Sequence, residues 1–276
     1  MKIVFFGSDG LALPALKKMT QQSWCEIVSV VTQPDRPAGR HQTLTPTPIK
    51  KLALTLPLPV FDNFAELPPA DLGVVVYYGV KIPQAVIAHF AFGIINIHPS
   101  LLPRWRGPSP IKSAILRGDK TTGVSIMLID AGLDTGPLLA QDSTIITNEE
   151  SAIELEARLG ELGAELLCQT LPKYCSGKII AQPQTRTGVT VSKFISKKDG
   201  ELLATYTPQE IWNHYRALQP WPGVYFIHNH KRYKITAAHW QNDTIQVDSI
   251  QPEGKKSISL SEFKRGYPTV SFAHII

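Results

Sequence analysis

GIINIHPSLLPRWRGPSP, residues 93–110, begins as an apolar run of buried-strand character and then breaks into a loop with prolines at 99, 103, 108 and 110. Side chains alternate along a strand, so Asn96 and His98 project from one face and Ile95 and Ile97 from the other. Two polar side chains therefore share one side of the strand's C-terminal end. Taken alone, an Asn-x-His pair most often marks no more than a strand end meeting solvent.

Outward from this stretch, apolar runs alternate with segments of helical spacing. Strands are expected at 2–7, 26–31, 59–61, 73–78, 93–97, 123–129 and 138–146, and helices at 11–19, 49–54, 82–90, 111–116 and 151–174. Ser151-x-x-Glu154 opens the last helix as a capping box. Strands rich in Val and Ile, separated by helices, predict an α/β fold with a mostly parallel sheet covered on both faces. Ligands of such sheets sit beyond the C-terminal strand ends where strand order reverses, and this reading places Asn96 and His98 there.

The stretch AQPQTRTG, residues 181–188, is polar, carries Pro and Gly, and reads as a linker. After a helix at 208–218, short strands at 224–227, 232–238 and 244–250 are separated by His-Asn-His, Gln-Asn-Asp and Pro-Glu-Gly turns. That pattern suits a small antiparallel barrel, a type that often binds oligonucleotides or oligosaccharides. The expected division is 1–180, a linker at 181–205 and a second domain at 206–276.

A chain of 276 residues with 43% hydrophobic and 18% charged residues is long enough for a sizeable core and is not disordered by composition. The opening MKIVFFGSDG holds too brief an apolar run for a signal-peptide core, and no segment approaches the roughly 18 apolar residues of a membrane span. A cytoplasmic monomer without a membrane partner is expected. Cys25, Cys168 and Cys175 are odd in number and lack the paired spacing of zinc sites, so they read as structural thiols with no metal. Residues 1–182 carry 16 Lys and Arg against 16 Asp and Glu, whereas 183–276 carry 12 against 7. The basic last third points to an anionic partner, nucleic acid being the commonest large one, or to a surface kept basic for solubility.

Two further stretches bear on chemistry. Gly7-Ser-Asp-Gly10 lies at the first strand-to-helix turn, but it lacks the Gly-x-Gly-x-x-Gly spacing and no acidic residue closes the second strand, so a tight turn explains it. DAGLDTGPLL, residues 130–139, follows a strand, and its aspartates either cap turns or aim a carboxylate into the cleft of Asn96 and His98. Acyl transfer to an amine needs an oxyanion donor, a proton acceptor and a partner that fixes the His tautomer. Asn96, His98 and Asp134 supply those roles without a covalent nucleophile.

TQPDRPAGR at 32–40, NIHPSLLPRWRGPSPI at 96–111, TGVSIMLIDAGLDTG at 122–136 and WPG at 221–223 together resemble the methionyl-tRNA formyltransferase family of folate-dependent formyltransferases. The resemblance implies a Rossmann-like catalytic domain, a linker and a C-terminal OB-like barrel that helps to grip tRNA. It implies 10-formyltetrahydrofolate as formyl donor and initiator methionyl-tRNA as acceptor, with Asn96, His98 and Asp134 catalytic. Ser100, Leu101, Leu102 and Pro103 match the folate-binding segment, and Tyr78, Gly79 and Val80 are candidate walls of the pterin pocket. Arg40, Arg104 and Arg106 are the candidate tRNA contacts. Gly39-Arg40 is followed by His41-Gln42-Thr43 where the family usually has more glycine and lysine, which removes phosphate contacts.

Two other readings keep the same residues. Formyl transfer to a small amine, such as a nucleotide-linked amino sugar or glycinamide ribonucleotide, shares the triad but needs neither the basic last third nor Arg-Trp-Arg at 104–106. A catalytically silent RNA-binding homologue needs no intact triad. Of the tryptophans, Trp221 reads as a packing anchor and Trp212 as a core residue of its helix, while Trp105 either touches RNA or covers the cleft.

Overall fold

The computed structural model describes residues 1–39 and 42–270. The chain divides into two units, one formed by residues 1–107, 122–144 and 156–191, the other by 108–121, 145–155 and the chain from 192 onward. Along the chain run β1 (Lys2–Gly7), α1 (Leu13–Thr20), β2 (Glu26–Val31), β3 (Arg36–Ala38), β4 (Thr43–Thr45), α2 (Pro48–Thr55), β5 (Val60–Phe61) and β6 (Leu72–Val76). They are followed by α3 (Gln84–Ile87), β7 (Ile94–His98), α4 (Pro110–Leu116), β8 (Thr121–Leu128), β9 (Leu138–Ile145) and α5 (Ala152–Cys175).

Seven strands form one sheet in the order β5-β2-β1-β6-β7-β8-β9. The strands from β5 to β7 pair in parallel, and β8 runs antiparallel to β7. The expected mostly parallel α/β sheet is therefore the architecture of this unit. Strand order reverses between β1 and β6, because β6 returns to the free side of β1 and β7 continues outward. His98 thus ends a strand one place beyond the switch point, a correction to the expected position.

The alternation read from the sequence sets the two faces of β7. Ile94 joins the buried cluster of Phe6, Tyr78 and Phe90, where the Phe6 ring meets those of Phe64, Tyr78 and Phe90 at centroid distances of 5.9–6.2 Å. Ile97 faces α5, where Gly163 permits close approach: a Cβ there would lie 2.7 Å from Ile97 Cγ2 and 3.3 Å from Val124 Cγ1. Asn96 and His98 follow Ile94 in register, away from α5.

Several local expectations shift by a few residues. The strand expected at 73–78 stops at Val76, since Tyr77 turns into the left-handed region at φ +47°. The helix expected at 82–90 contracts to α3, because Pro83 keeps Ile82 out of helical geometry and itself occupies the N-cap. The loop after β2 contains the β3–β4 hairpin, whose three-residue strands are too short to show periodicity. The turn at Gly7–Gly10 is closed by Asp9, which accepts the Leu11 N–H at 3.2 Å.

In the second unit, α6 (Pro208–Leu218) precedes β10 (Val224–His228), β11 (Lys231–Gln241), β12 (Thr244–Pro252), β13 (Ile258–Ser259) and α7 (Leu260–Gly266). The small antiparallel element is a four-stranded sheet in the order β10-β11-β12-β13. A Glu201–Tyr225 bridge extends it beyond β10. Phe263 of α7 is fully buried and meets Tyr233 edge-on at 5.4 Å. Residues 145–155 belong here because α6 binds them: Trp212 Nε1 donates to Asn148 O at 2.6 Å, and Arg216 Nη1 donates to Thr147 O and Glu150 O at 2.7 and 3.0 Å. Trp212 is buried as expected, but Trp221 is 51% exposed, so it is no packing anchor.

Ser151 and Glu154 form the expected capping box at the start of α5, and Thr207–Glu210 and Ser259–Glu262 repeat it at α6 and α7. The Ser151 hydroxyl and N–H hold the Glu154 carboxyl below its ordinary pKa. Its contribution to stability is therefore complete above the ordinary glutamate pKa and is lost as pH falls through the lowered one. Among the described residues, no helix is long and apolar enough to cross a membrane.

Candidate active site

His98 closes β7 and is buried, 5% exposed. Its Nε2 lies 2.9 Å from the Trp105 carbonyl oxygen. A carbonyl only accepts, so Nε2 carries the proton and the neutral ring presents a lone pair at Nδ1. That Nδ1 faces Asp134 Oδ1 at 3.8 Å, beyond a hydrogen bond but close enough for a charge interaction once the ring takes up a second proton. The other Asp134 oxygen accepts the Gly107 N–H at 2.7 Å, which fixes the carboxylate's orientation. Asn96 is half-buried on the same strand face, and among the described residues its side chain makes no hydrogen bond.

Two loops reach His98, and each carries backbone strain beside it. Trp105 and Asp134 adopt φ of +59° and +51°, a region that non-glycine residues enter at a cost of about 1–3 kcal/mol. The first loop is held by the segment 181–191: Trp105 N–H donates to Thr190 Oγ1 at 2.8 Å and Arg106 N–H to Thr190 O at 3.0 Å. In the second, Gln184 Nε2 donates to Asp134 O and Gly136 O at 2.9 and 2.8 Å. Gln184 Oε1 accepts from Arg106 Nε and Nη2 at 3.1 and 2.7 Å.

Neither Gln184 nor Thr190 was singled out by the sequence, because 181–188 has the composition of a linker. Ser125 was also missed. Its hydroxyl, fully buried in β8, donates to Ser100 O at 2.6 Å and accepts from Leu102 N–H at 3.0 Å and Gln141 Nε2 at 2.8 Å. A serine in the centre of an apolar strand was its one signal. Ser125→Ala should lower stability by about 1–3 kcal/mol, since the buried Leu102 N–H loses its acceptor. An unchanged urea midpoint would remove Ser125 from the framework of this turn.

The candidate folate residues divide by exposure. Ser100 and Leu102 are buried at 1% and 3%, and Ser100 Oγ donates to Arg104 O at 2.6 Å to close the turn that Leu101 and Pro103 complete. The Tyr78 ring is engaged in the core against Phe6 and Phe64, and its carbonyl accepts from Ser8 Oγ and Gln33 Nε2 at 3.2 and 2.6 Å. What this turn leaves open is Val80, 44% exposed, and Gly79, where φ is +75° and a Cβ would lie 2.8 Å from Gln33 Nε2.

Of the three candidate tRNA arginines, Arg40 lies outside the described residues. Arg104 stacks on Trp105 with its guanidinium carbon 4.5 Å from the ring centroid. The Arg106 guanidinium donates to Gln184 Oε1. Trp105 itself is 9% exposed and covers His98 through its carbonyl.

All three cysteines are free, and burial pushes their thiols up, that of Cys25 to about 12. Among the described residues no group of three or more His, Cys, Asp or Glu is placed to hold a metal ion.

Residues 1–171 match the family model described as formyl transferase, and residues 194–246 match that described as formyl transferase, C-terminal domain. A protein of Roseiflexus sp. (strain RS-1) named methionyl-tRNA formyltransferase is 36% identical over 96% of this chain and 92% of its own length. Among solved structures, the methionyl-tRNA formyltransferase from Clostridium thermocellum aligns with a TM-score of 0.61 at 18% identity, covering 91% of this chain and 98% of that one. The N-formyltransferase from Helicobacter canadensis, in complex with folinic acid and dTDP-3-aminofucose, aligns with a TM-score of 0.68 at 16% identity, covering 94% and 98%. At such identities the two structures speak for the fold alone.

Proposed function

The chain belongs to the formyl transferase family, and from that premise we propose that it moves a formyl group from 10-formyltetrahydrofolate to the amino group of methionine on initiator tRNA. The observation that carries the chemistry is the meeting of His98, at the end of β7, with Asp134, from the loop between β8 and β9, beside the unbonded Asn96 amide. The acceptor is supported by relatives such as the Roseiflexus protein, and by the basic last third of the chain. The enzyme would work as a monomer in the cytoplasm, in translation initiation, with residues 1–180 catalytic, 181–205 linking and 206–276 assisting tRNA binding.

In the reaction, the free amine attacks the formyl carbon, and Asn96 donates to the oxygen as negative charge develops there. The tautomer of His98 fixes its role. With Nε2–H engaged by Trp105, the neutral ring does not donate to that oxygen; Nδ1 takes the proton of the attacking amine instead. Asp134 stabilises the resulting imidazolium. The new carbon–nitrogen bond forms, the bond to the donor nitrogen breaks, and the proton returns from Nδ1 to the departing nitrogen.

The donor would lie along Ser100 to Pro103 and against Gly79 and Val80. A glycine without Cβ bulk beside an exposed valine fits a flat heterocycle with polar edges, whose partners would be main-chain N–H and C=O groups. Arg40, Arg104 and Arg106 are the candidates for phosphate. Purified protein given 10-formyltetrahydrofolate with Met-tRNA or with a panel of amino sugars should formylate Met-tRNA. Formylation of the sugars alone would reject this reading in favour of the small-amine enzyme.

A further inference from the structure

We propose that Gln184 is a positioning residue of the reaction, a clasp that sets the Asp134 carboxylate against His98. The inference rests on the function proposed above and adds a residue outside the expected catalytic segment. The orientation of the Gln184 amide is dictated by its partners. Arg106 only donates and the carbonyls of Asp134 and Gly136 only accept, so Oε1 faces the guanidinium and Nε2 faces the loop. Two N–H donors meet two carbonyls, while two guanidinium N–H groups converge on one oxygen.

The consequence lies in what this amide joins. On one side are the carbonyls that bracket Thr135, in a loop where Asp134 is held at φ +51°. On the other is Arg106, between Trp105, whose carbonyl fixes the His98 tautomer, and Gly107, whose N–H orients the Asp134 carboxylate. One side chain therefore ties the loop that holds His98 to the loop that carries Asp134. The clasp acts on their relative position and touches neither substrate.

The test uses Gln184→Met, which keeps length and packing but bonds neither loop, and Gln184→Glu, which keeps the acceptor for Arg106 but turns a second oxygen toward the two carbonyls. For both, kcat on Met-tRNA should fall about 10-fold or more while KM for 10-formyltetrahydrofolate changes less than about threefold, the pattern of a lost transition-state geometry.

A kcat of folded Gln184→Met within about twofold of the wild type overturns the proposal, since a merely structural residue would lower stability and leave the turnover of the folded protein alone. Should the Met variant fail to fold, kcat of Gln184→Glu decides, and a value within about twofold of the wild type overturns it. Wild-type protein that formylates no acceptor would remove the functional reading and the clasp with it, whereas an active wild type matched by its Gln184 variants removes the clasp alone.

Discussion

Replacing Asn96 by alanine is expected to lower kcat for formyl transfer to Met-tRNA by about 100- to 1000-fold, the usual cost of one oxyanion donor. The argument for so large an effect is that the amide has no structural employment: among the described residues it makes no hydrogen bond, although it lies mid-strand in β7. A polar side chain held there without a partner is free to meet charge that develops only during reaction. Stability measured by urea should then change by no more than about 1 kcal/mol, because no buried bond is broken. KM for the donor should also change little, since the interaction belongs to the transition state. Folded Asn96→Ala protein with near-normal turnover would take Asn96 out of the chemistry.

The sequence made one half of this site legible and hid the other half for a physical reason. Asn96 and His98 stand two residues apart on a strand, so alternation alone puts them on one face. Asp134 is legible because an amine acylation still lacks a carboxylate once an amide and an imidazole are present. The supporting residues leave no such trace. Gln184 and Thr190 act through hydrogen bonds to distant loops, and such bonds impose no period on the residues around them. A segment of Pro, Gln, Thr and Gly therefore looks like a tether even though it binds both catalytic loops.

Charge is legible only in part. Arg106 beside Trp105 and Arg104 reads as a phosphate contact, because the local pattern shows a cation and not its internal partner. The fold was more visible than the site because α/β periodicity is local. What escaped were elements too short to repeat, such as β3, β4 and β13, and α7 behind its serine-rich cap.

Gly136→Ala should damage the enzyme by a different route, losing about 100-fold in kcat and also about 2–3 kcal/mol of stability. A Cβ at this position would overlap the Leu128 carbonyl oxygen and lie 2.9 Å from its carbon and 3.2 Å from Met127 Cε. The obstacle is main chain, so no side-chain rotation relieves it. Nor is the strand free to withdraw, because Leu128 N–H donates to Pro137 O at 2.9 Å and Ile129 N–H to Ile94 O at 2.8 Å. The loop must give way, and Asp134 lies two residues upstream of the displaced carbon. A shift of roughly an ångström there separates the carboxylate from His98 and is enough for the kinetic loss. Gly10→Ala provides the comparison, since nothing lies within 4 Å of a Cβ at that position and stability should stay within about 0.5 kcal/mol. Asn96→Ala and Gly136→Ala thus differ in signature: the first lowers kcat on an intact fold, the second lowers kcat and the unfolding midpoint together. Wild-type stability and turnover in Gly136→Ala would mean that the Asp134 loop is not pinned against β8, and the geometry assigned to Asp134 would fall with it.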